Sequence, residues 1–280
     1  MTNLSEFTFL SSDGKTQLHG MLWEPEGVAV RAVLQICHGV AEHIARYDGF
    51  ARALNEQGIV VAGHDHLGHG KSLPEGGTPV YFGQGNTWNT VVDDSYVLHQ
   101  RLKQRYPDAP LCIMGPSMGA FLTRTYLIRY PGTVKAAGIM GTGWQPQAAI
   151  TGGLALANAI AAVSGENATS ELVTELAFGS YNKLFAPNRT KVDWLSADES
   201  NVDDYIADPL CGADATVGLF RQMLHGIRFN QRQSHLRQMD REMPVLFVAG
   251  DKDPVGRCGK GVRQAYGAFR AAGRRACALR

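Results

Sequence analysis

The chain has no histidine after His235, no C-x-x-C pair, and almost no excess of either charge sign. Lys and Arg total 27 against 26 Asp and Glu, a net charge of +1. That balance gives no electrostatic reason to expect nucleic acid or an anionic surface as partner. Cys37, Cys112, Cys211, Cys258 and Cys277 are odd in number and scattered. They fit free thiols in a reducing compartment better than a disulfide framework, so a cytoplasmic protein is expected. The first residues are polar, without the basic stretch and apolar run of a signal peptide. Long apolar runs are also scarce. The longest low-polarity stretch, Ala148 to Val163, is short and broken by Gly152, Gly153 and Asn158, so no membrane span is expected. Repeats and low-complexity tracts are absent. With 44% hydrophobic and 19% charged residues, general disorder is excluded. The 280 residues suffice for one α/β domain with an insertion.

Glu6 to Leu10 and Leu18 to Trp23 alternate about Ser12-Asp13-Gly14, which reads as a hairpin. Ala32 to Cys37, Ile59 to Ala62, Leu111 to Met114, Ala136 to Met140 and Pro244 to Ala249 are short apolar runs, as expected of strands buried on both faces. Between them lie helical patterns. Tyr47 to Gln57 stops at Gly58, and Val91, Ser95, Leu98 and Leu102 share one face of a stretch ending at Pro107. Strand and helix alternate, which predicts an α/β fold with a doubly wound, mainly parallel sheet and an antiparallel start. Gly141 to about Asp240 breaks the rhythm. It is helix-rich and carries Trp144, Phe178, Tyr181, Phe185 and Trp194. An insertion at the carboxyl ends of the strands sits over the ligand crevice of such sheets. The expectation is a core over 1–140 and 241–280 with a helical cap over 141–240 that forms an apolar pocket. For any single aromatic, packing within the insertion's own small core is the stronger reading.

Gly115-Pro116-Ser117-Met118-Gly119 follows an apolar strand and opens a helical stretch from Ala120 to Tyr130. This is G-x-S-x-G in a strand–turn–helix setting, where a sharp turn lifts a serine hydroxyl clear of the sheet. The flanking glycines remove Cβ atoms that would block it. Ser117 is therefore the candidate nucleophile, and a serine that only caps the next helix is the plainer alternative.

Five segments in order carry a resemblance: His38-Gly39-Val40-Ala41-Glu42-His43, Asp65-His66-Leu67-Gly68-His69-Gly70-Lys71-Ser72, the Gly115–Gly119 turn, Asp208-Pro209-Leu210, and Gly250-Asp251-Lys252-Asp253-Pro254-Val255-Gly256. The chain resembles the α/β-hydrolases, specifically the monoacylglycerol lipase / lysophospholipase (serine aminopeptidase-like) group. The resemblance implies a serine carboxylester hydrolase of lipid metabolism that forms an acyl-enzyme on Ser117. Its substrate would be a small acyl ester such as a monoacylglycerol or lysophospholipid. It implies an oxyanion hole from the backbone N–H groups of Val40 and Met118, with no cofactor and no metal. His38 is expected to shape the loop. Asp251 and Asp253 both stand where the triad acid belongs, and the Asp-Pro-Val match favours Asp253. Transient contact of the cap with a membrane surface is part of the same expectation.

Two departures stand out. Pro116 fixes φ and removes an N–H where the group has a non-proline residue. The triad histidine, last in the order Ser…Asp…His, is missing. A last strand and helix, roughly 25–35 residues by usual element lengths, are expected to be absent too. Truncation or a frameshift near Gly273 is one explanation, with Ala276 to Arg280 as the start of that strand. Recruitment of His43, His225 or His235 is the other. Three further readings remain open. One is a catalytically impaired or non-catalytic fragment, and another is a peptidase. The third is a metallohydrolase built on His64, Asp65, His66 and His69 with His38 and His43, although the spacing is not H-E-x-x-H.

Overall fold

The computed structural model describes residues 1–280. Its eight-stranded sheet is ordered β1-β2-β4-β3-β5-β6-β7-β8. Strands β1 (Thr2–Leu10) and β2 (Gln17–Pro25) form the predicted antiparallel hairpin, and β2 also runs antiparallel to β4 (Ile59–His64). The pairs from β4 through β3 (Ala32–Ile36), β5 (Leu111–Pro116), β6 (Ala136–Met140) and β7 (Val245–Val248) are all parallel. The chain is thus an α/β protein with a doubly wound sheet. Parallel strands need crossovers, and helices supply them. These are α1 (Asp48–Asn55), α2 (Thr87–Arg105) and α3 (Met118–Arg129), with α9 (Lys260–Ala271) after β7.

The last strand is present as a short segment inside Ala276 to Arg280, the stretch read as its start. Cys277–Leu279 forms β8, parallel to β7 with Cys277 opposite Val245 and Leu279 opposite Phe247. Cys277 packs on the core, and these three residues satisfy one edge of β7.

Between β6 and β7 lie α4 (Gln147–Ser164), α5 (Glu171–Phe178), α6 (Glu199–Ala207), α7 (Val217–Asn230) and the short α8 (Gln233–Leu236). The stretch read as broken by glycines is one continuous helix, α4. It has 18 residues, a mean hydropathy of 1.3 and only 17% of its length buried, so by length and composition it could cross a membrane. Here it packs along α7. Gly153 makes that approach close, because a Cβ there would come 2.9 Å from Leu224 Cδ1.

Helix α7 in turn lies on α2 and α3. Gly226 seats against the Trp88 indole, and the Asn230 side chain bonds to Phe121 O and Thr125 Oγ1. The end of the inserted segment is therefore part of the layer covering the sheet. Phe178, Tyr181 and Trp194 pack on one another, and Phe178 also on Phe220. This small core of their own is the stronger sequence reading.

Candidate active site

Strand β5 ends in the candidate turn. Ser117 has φ 51° and ψ −120°, a left-handed conformation rare for a residue with a side chain. Its neighbours are glycines for a concrete reason. A Cβ on Gly115 would lie 2.3 Å from Gly119 O, and one on Gly119 would lie 1.9 Å from Cys37 O. Helix α3 therefore starts hard against the end of β3. Pro116 does not disturb the turn. β5 pairs with β3 only as far as Met114, and Pro116 lies opposite Met140 of β6. The next N–H, that of Ser117, donates to Met140 O at 3.0 Å.

The loop after β3 closes over this turn. A Cβ on Gly39 would meet Ser117 Cβ at 3.6 Å, and Val40 comes next. No protein acceptor takes the Val40 N–H. Met118 is the first residue of α3, where N–H groups lack intrahelical partners, and its N–H is likewise free. Both predicted donors are thus available beside Ser117. Asp253 lies across Gly141: a Cβ there would be 3.2 Å from Asp253 Oδ2 and 3.8 Å from the Ser117 nitrogen. Asp253 Oδ1 accepts the Val255 N–H at 2.8 Å. Burial raises its pKa, against the pull of the Val255 and Gly256 N–H groups. Asp251 is exposed, so of the two candidate acids the fold brings Asp253 toward the serine.

Histidines are placed differently. His38 is fully buried, bonds through Nδ1 to Gly39 O at 2.7 Å and accepts the His66 N–H on Nε2 at 2.9 Å. It braces the loop, as expected. His43 Nε2 meets Asp208 Oδ2 at 2.7 Å, and His235 Nδ1 meets Phe229 O at 2.9 Å. His225 sits on α7 in a separate cleft. None of the three recruitment candidates bonds to Ser117. His64, His66 and His69 are buried, with the His66 and His69 rings 4.1 and 5.3 Å from that of His38 and the His64 ring edge-on to His66 at 5.2 Å. Burial holds His64 and His69 down to about 4 and His38 to about 3, so the group is neutral core.

The donors that the fold does gather are His43, Asp208 and Cys211, within 4.8 Å of one another. His43 and Asp208 already hold each other, and burial pushes the Cys211 thiol up to about 12. This trio clamps the inserted segment to the loop, helped by the Gly212 N–H on Ala41 O at 3.0 Å.

Sequence reasoning missed Glu42. Its Oε1 accepts the Gly39 N–H at 2.5 Å and the Tyr47 hydroxyl at 2.9 Å, and Arg46 stands 3.5 Å from Oε2. The carboxylate thereby fixes the backbone just before Val40. The spacing Gly39-x-x-Glu42 was the available signal. Tyr181 was missed as a neighbour of Asp253, whose charge joins burial in lifting the phenol to about 12.

A family model that matches most of the chain decides the family. The chain belongs to the serine aminopeptidase S33 family (Hydrolase_4). The match covers residues 28–278. The protein is therefore an α/β-hydrolase of the monoacylglycerol lipase group. It is 29% identical over 251 residues to the monoacylglycerol lipase of Mycolicibacterium smegmatis, covering 89% of this chain and 79% of that protein. It is also 29% identical over 250 residues to the monoglyceride lipase of Mus musculus, covering 87% and 72%. The fold matches a thermostable carboxyl esterase from Bacillus coagulans with TM-score 0.90 at 24% identity, over 100% of this chain and 90% of that one.

Proposed function

We propose that this α/β-hydrolase cleaves carboxylic esters of the monoacylglycerol or lysophospholipid kind through an acyl-enzyme on Ser117. One observation carries the reading. The unpaired N–H groups of Val40 and Met118 next to the Ser117 turn, with the Asp253 carboxylate across Gly141 from it, support this reading. Ser117 Oγ attacks the ester carbonyl, and the Val40 and Met118 N–H groups stabilise the oxyanion as it forms. Each such donor is typically worth about 2.7–4 kcal/mol of barrier. The Ser117 proton passes to a base and from it to the departing alkoxide; Asp253 would orient that base and stabilise its protonated form, and none of His38, His43 and His235 is bonded to Ser117 in that role. The alcohol leaves, and water releases the acid. Two relatives named as monoacylglycerol or monoglyceride lipases support the substrate class. Residues 141–240 act as the cap, and exposed Leu172, Leu176, Leu184 and Val163 give it apolar contact with a lipid surface. Five cysteines, none in a disulfide, support a cytoplasmic setting.

The test is hydrolysis of p-nitrophenyl acyl esters, with Ser117→Ala expected to abolish turnover. Turnover that survives the substitution refutes the proposal.

A second reading is a hydrolase-fold protein impaired in catalysis. It is favoured because His38, His43 and His235 each bond through a ring nitrogen to Gly39, Asp208 and Phe229 and none bonds to Ser117, leaving the base unassigned. Added imidazole separates the two. Ser117-dependent hydrolysis that rises with imidazole marks an esterase site short of its base. A fluorophosphonate that leaves Ser117 unlabelled, with and without imidazole, marks a binding protein.

A further inference from the structure

A cleft of about 540 Å³ opens between α2, α4 and α7, and its lining includes no residue of the Ser117 turn, the His38–His43 loop or the Asp253 loop. Its composition is unusual for a ligand pocket. Only two lining residues are hydrophobic, and no carboxylate is among them. Arg221, His225, Arg228 and Arg232 line one wall, while Asn86, Asn89 and Asn158 supply amides from the other sides. Arg221, His225 and Arg228, spaced four and three residues apart on α7, share one face, where like charges oppose one another, and Arg232 follows just beyond the end of that helix.

The usual relief, acids at neighbouring turns, is absent. The stretch from Val217 to Asn230 carries no Asp or Glu. Arg221 has one partner, Glu166 at 2.5 Å. The side chains of Arg228 and Arg232 have no hydrogen-bond or ion-pair partner, unlike Arg124 and Arg129 on the neighbouring helix, which do. Partial burial together with Arg228 and Arg221 holds His225 below its ordinary range, so the neighbouring field is positive. The wall is also firm. Gly226 presses on Trp88, Gln222 accepts the Trp88 N–H and donates to Gly85 O, and Trp88 Nε1 bonds to Thr125 at 3.0 Å.

We propose that this cleft is a binding site for a phosphate-bearing anion, gripped by the Arg228 and Arg232 guanidinium groups with Asn89 and Asn158 as neutral donors. Guanidinium forks match the paired oxygens of a phosphoryl group, and a dianion removes the repulsion that Glu166, paired with Arg221 alone, leaves between Arg228 and Arg232. The volume lies within the roughly 300–1,000 Å³ of small-molecule sites, so the cleft has room for an organic group beyond the phosphate. The phosphate belongs either to a soluble ester or to a lipid headgroup, since α4 carries Asn158 into the cleft and is itself a mostly exposed apolar helix. The inference is independent of the chemistry at Ser117.

The experiment has two arms on the full chain. In the first, inorganic pyrophosphate is titrated calorimetrically, with sodium chloride at equal ionic strength as the blank. In the second, phosphatidylcholine vesicles with and without phosphatidic acid are sedimented with the protein. Arg228→Gln/Arg232→Gln is compared in both, with far-ultraviolet circular dichroism and Ser117 phosphonate labelling as checks that the fold persists. Losing one charge-assisted hydrogen bond weakens binding about tenfold, so the double variant is expected to bind about 100-fold more weakly. Pyrophosphate binding that falls this way supports the proposal with a soluble ligand. Binding confined to phosphatidic acid vesicles and lost in the variant supports it with a lipid ligand. No binding in either arm, or binding that the double variant retains, overturns it.

Discussion

Ser117 holds a backbone conformation that its own side chain disfavours, and the surrounding contacts explain why it persists. Its N–H is fixed by Met140 O, its carbonyl receives the Ala120 N–H at 2.9 Å, and the helix it opens is pinned by Gly119 against Cys37. Positive φ at a residue with a Cβ costs on the order of 1–3 kcal/mol. Ser117→Gly removes that cost, less the entropy that glycine adds to the unfolded chain. The variant is therefore expected to be more stable by about 1 kcal/mol in urea denaturation, with ester turnover gone. Ser117→Ala keeps the Cβ and gains nothing in stability. A glycine variant no more stable than wild type would mean that the turn is relaxed. The serine was legible in the sequence because G-x-S-x-G names steric requirements, and those glycines meet atoms at 2.3 Å and 1.9 Å here. Asp253 was favoured over Asp251 by the Asp-Pro-Val match, and its burial and placement across Gly141 point the same way. Glu42 was not singled out, because its role depends on a loop folding back by three residues rather than on any strand or helix pattern.

At the scale of elements, the strands from β2 to β7 were readable within a residue or two because they are mostly apolar runs bounded by turn residues, whereas β1 begins four residues before the alternation at Glu6 to Leu10. Ala136–Met140 was placed to the residue. The inserted helices were not. Their lengths and partners depend on long-range packing, as with α4, whose Gly153 looks like a break until Leu224 of α7 is laid against it. The same packing leaves α5 with Leu172 and Leu176 exposed at 55% and 68%, an arrangement that suits an apolar surface better than water. Leu172→Asp/Leu176→Asp is expected to cut partition onto phosphatidylcholine vesicles by at least about tenfold, since burying one leucine contributes roughly 1.5–3 kcal/mol. Turnover of a short, water-soluble p-nitrophenyl ester should stay unchanged, because neither leucine touches the Ser117 turn. Equal vesicle partition of variant and wild type would remove α5 from the contact.

For the molecule as a whole, the cluster of histidines behind the site couples stability to pH. His38, His64, His66 and His69 are all neutral in the core. Burial, with the charges of neighbouring histidines, holds His38 at about 3 and His66 well below its ordinary range, and burial alone chiefly holds His64 and His69 at about 4. In the unfolded chain each titrates near 6.5. Between roughly pH 6.5 and 4 the unfolded state binds protons that the folded state refuses, so their contribution is fully present above pH 6.5 and is lost as pH falls. Asp65 extends the fall at lower pH. Although burial opposes it, His19, His38 and the Ile44 and Lys71 N–H groups bring its carboxyl down to about 2. Asp94, lifted by burial to about 6, and Glu42 and Asp253, raised for the same reason, act in the opposite sense. Four buried imidazoles oppose these three carboxyls, so the histidines prevail. Thermal melts in buffers of matched ionic strength should give a Tm that changes little from pH 8 to 6.5 and drops steeply from 6.5 to 4.5. His64→Phe, which keeps the edge-on contact with Phe9 at 5.3 Å without a titrating nitrogen, should flatten part of that slope. A Tm that holds or rises on acidification would show that the imidazoles accept protons without leaving the core.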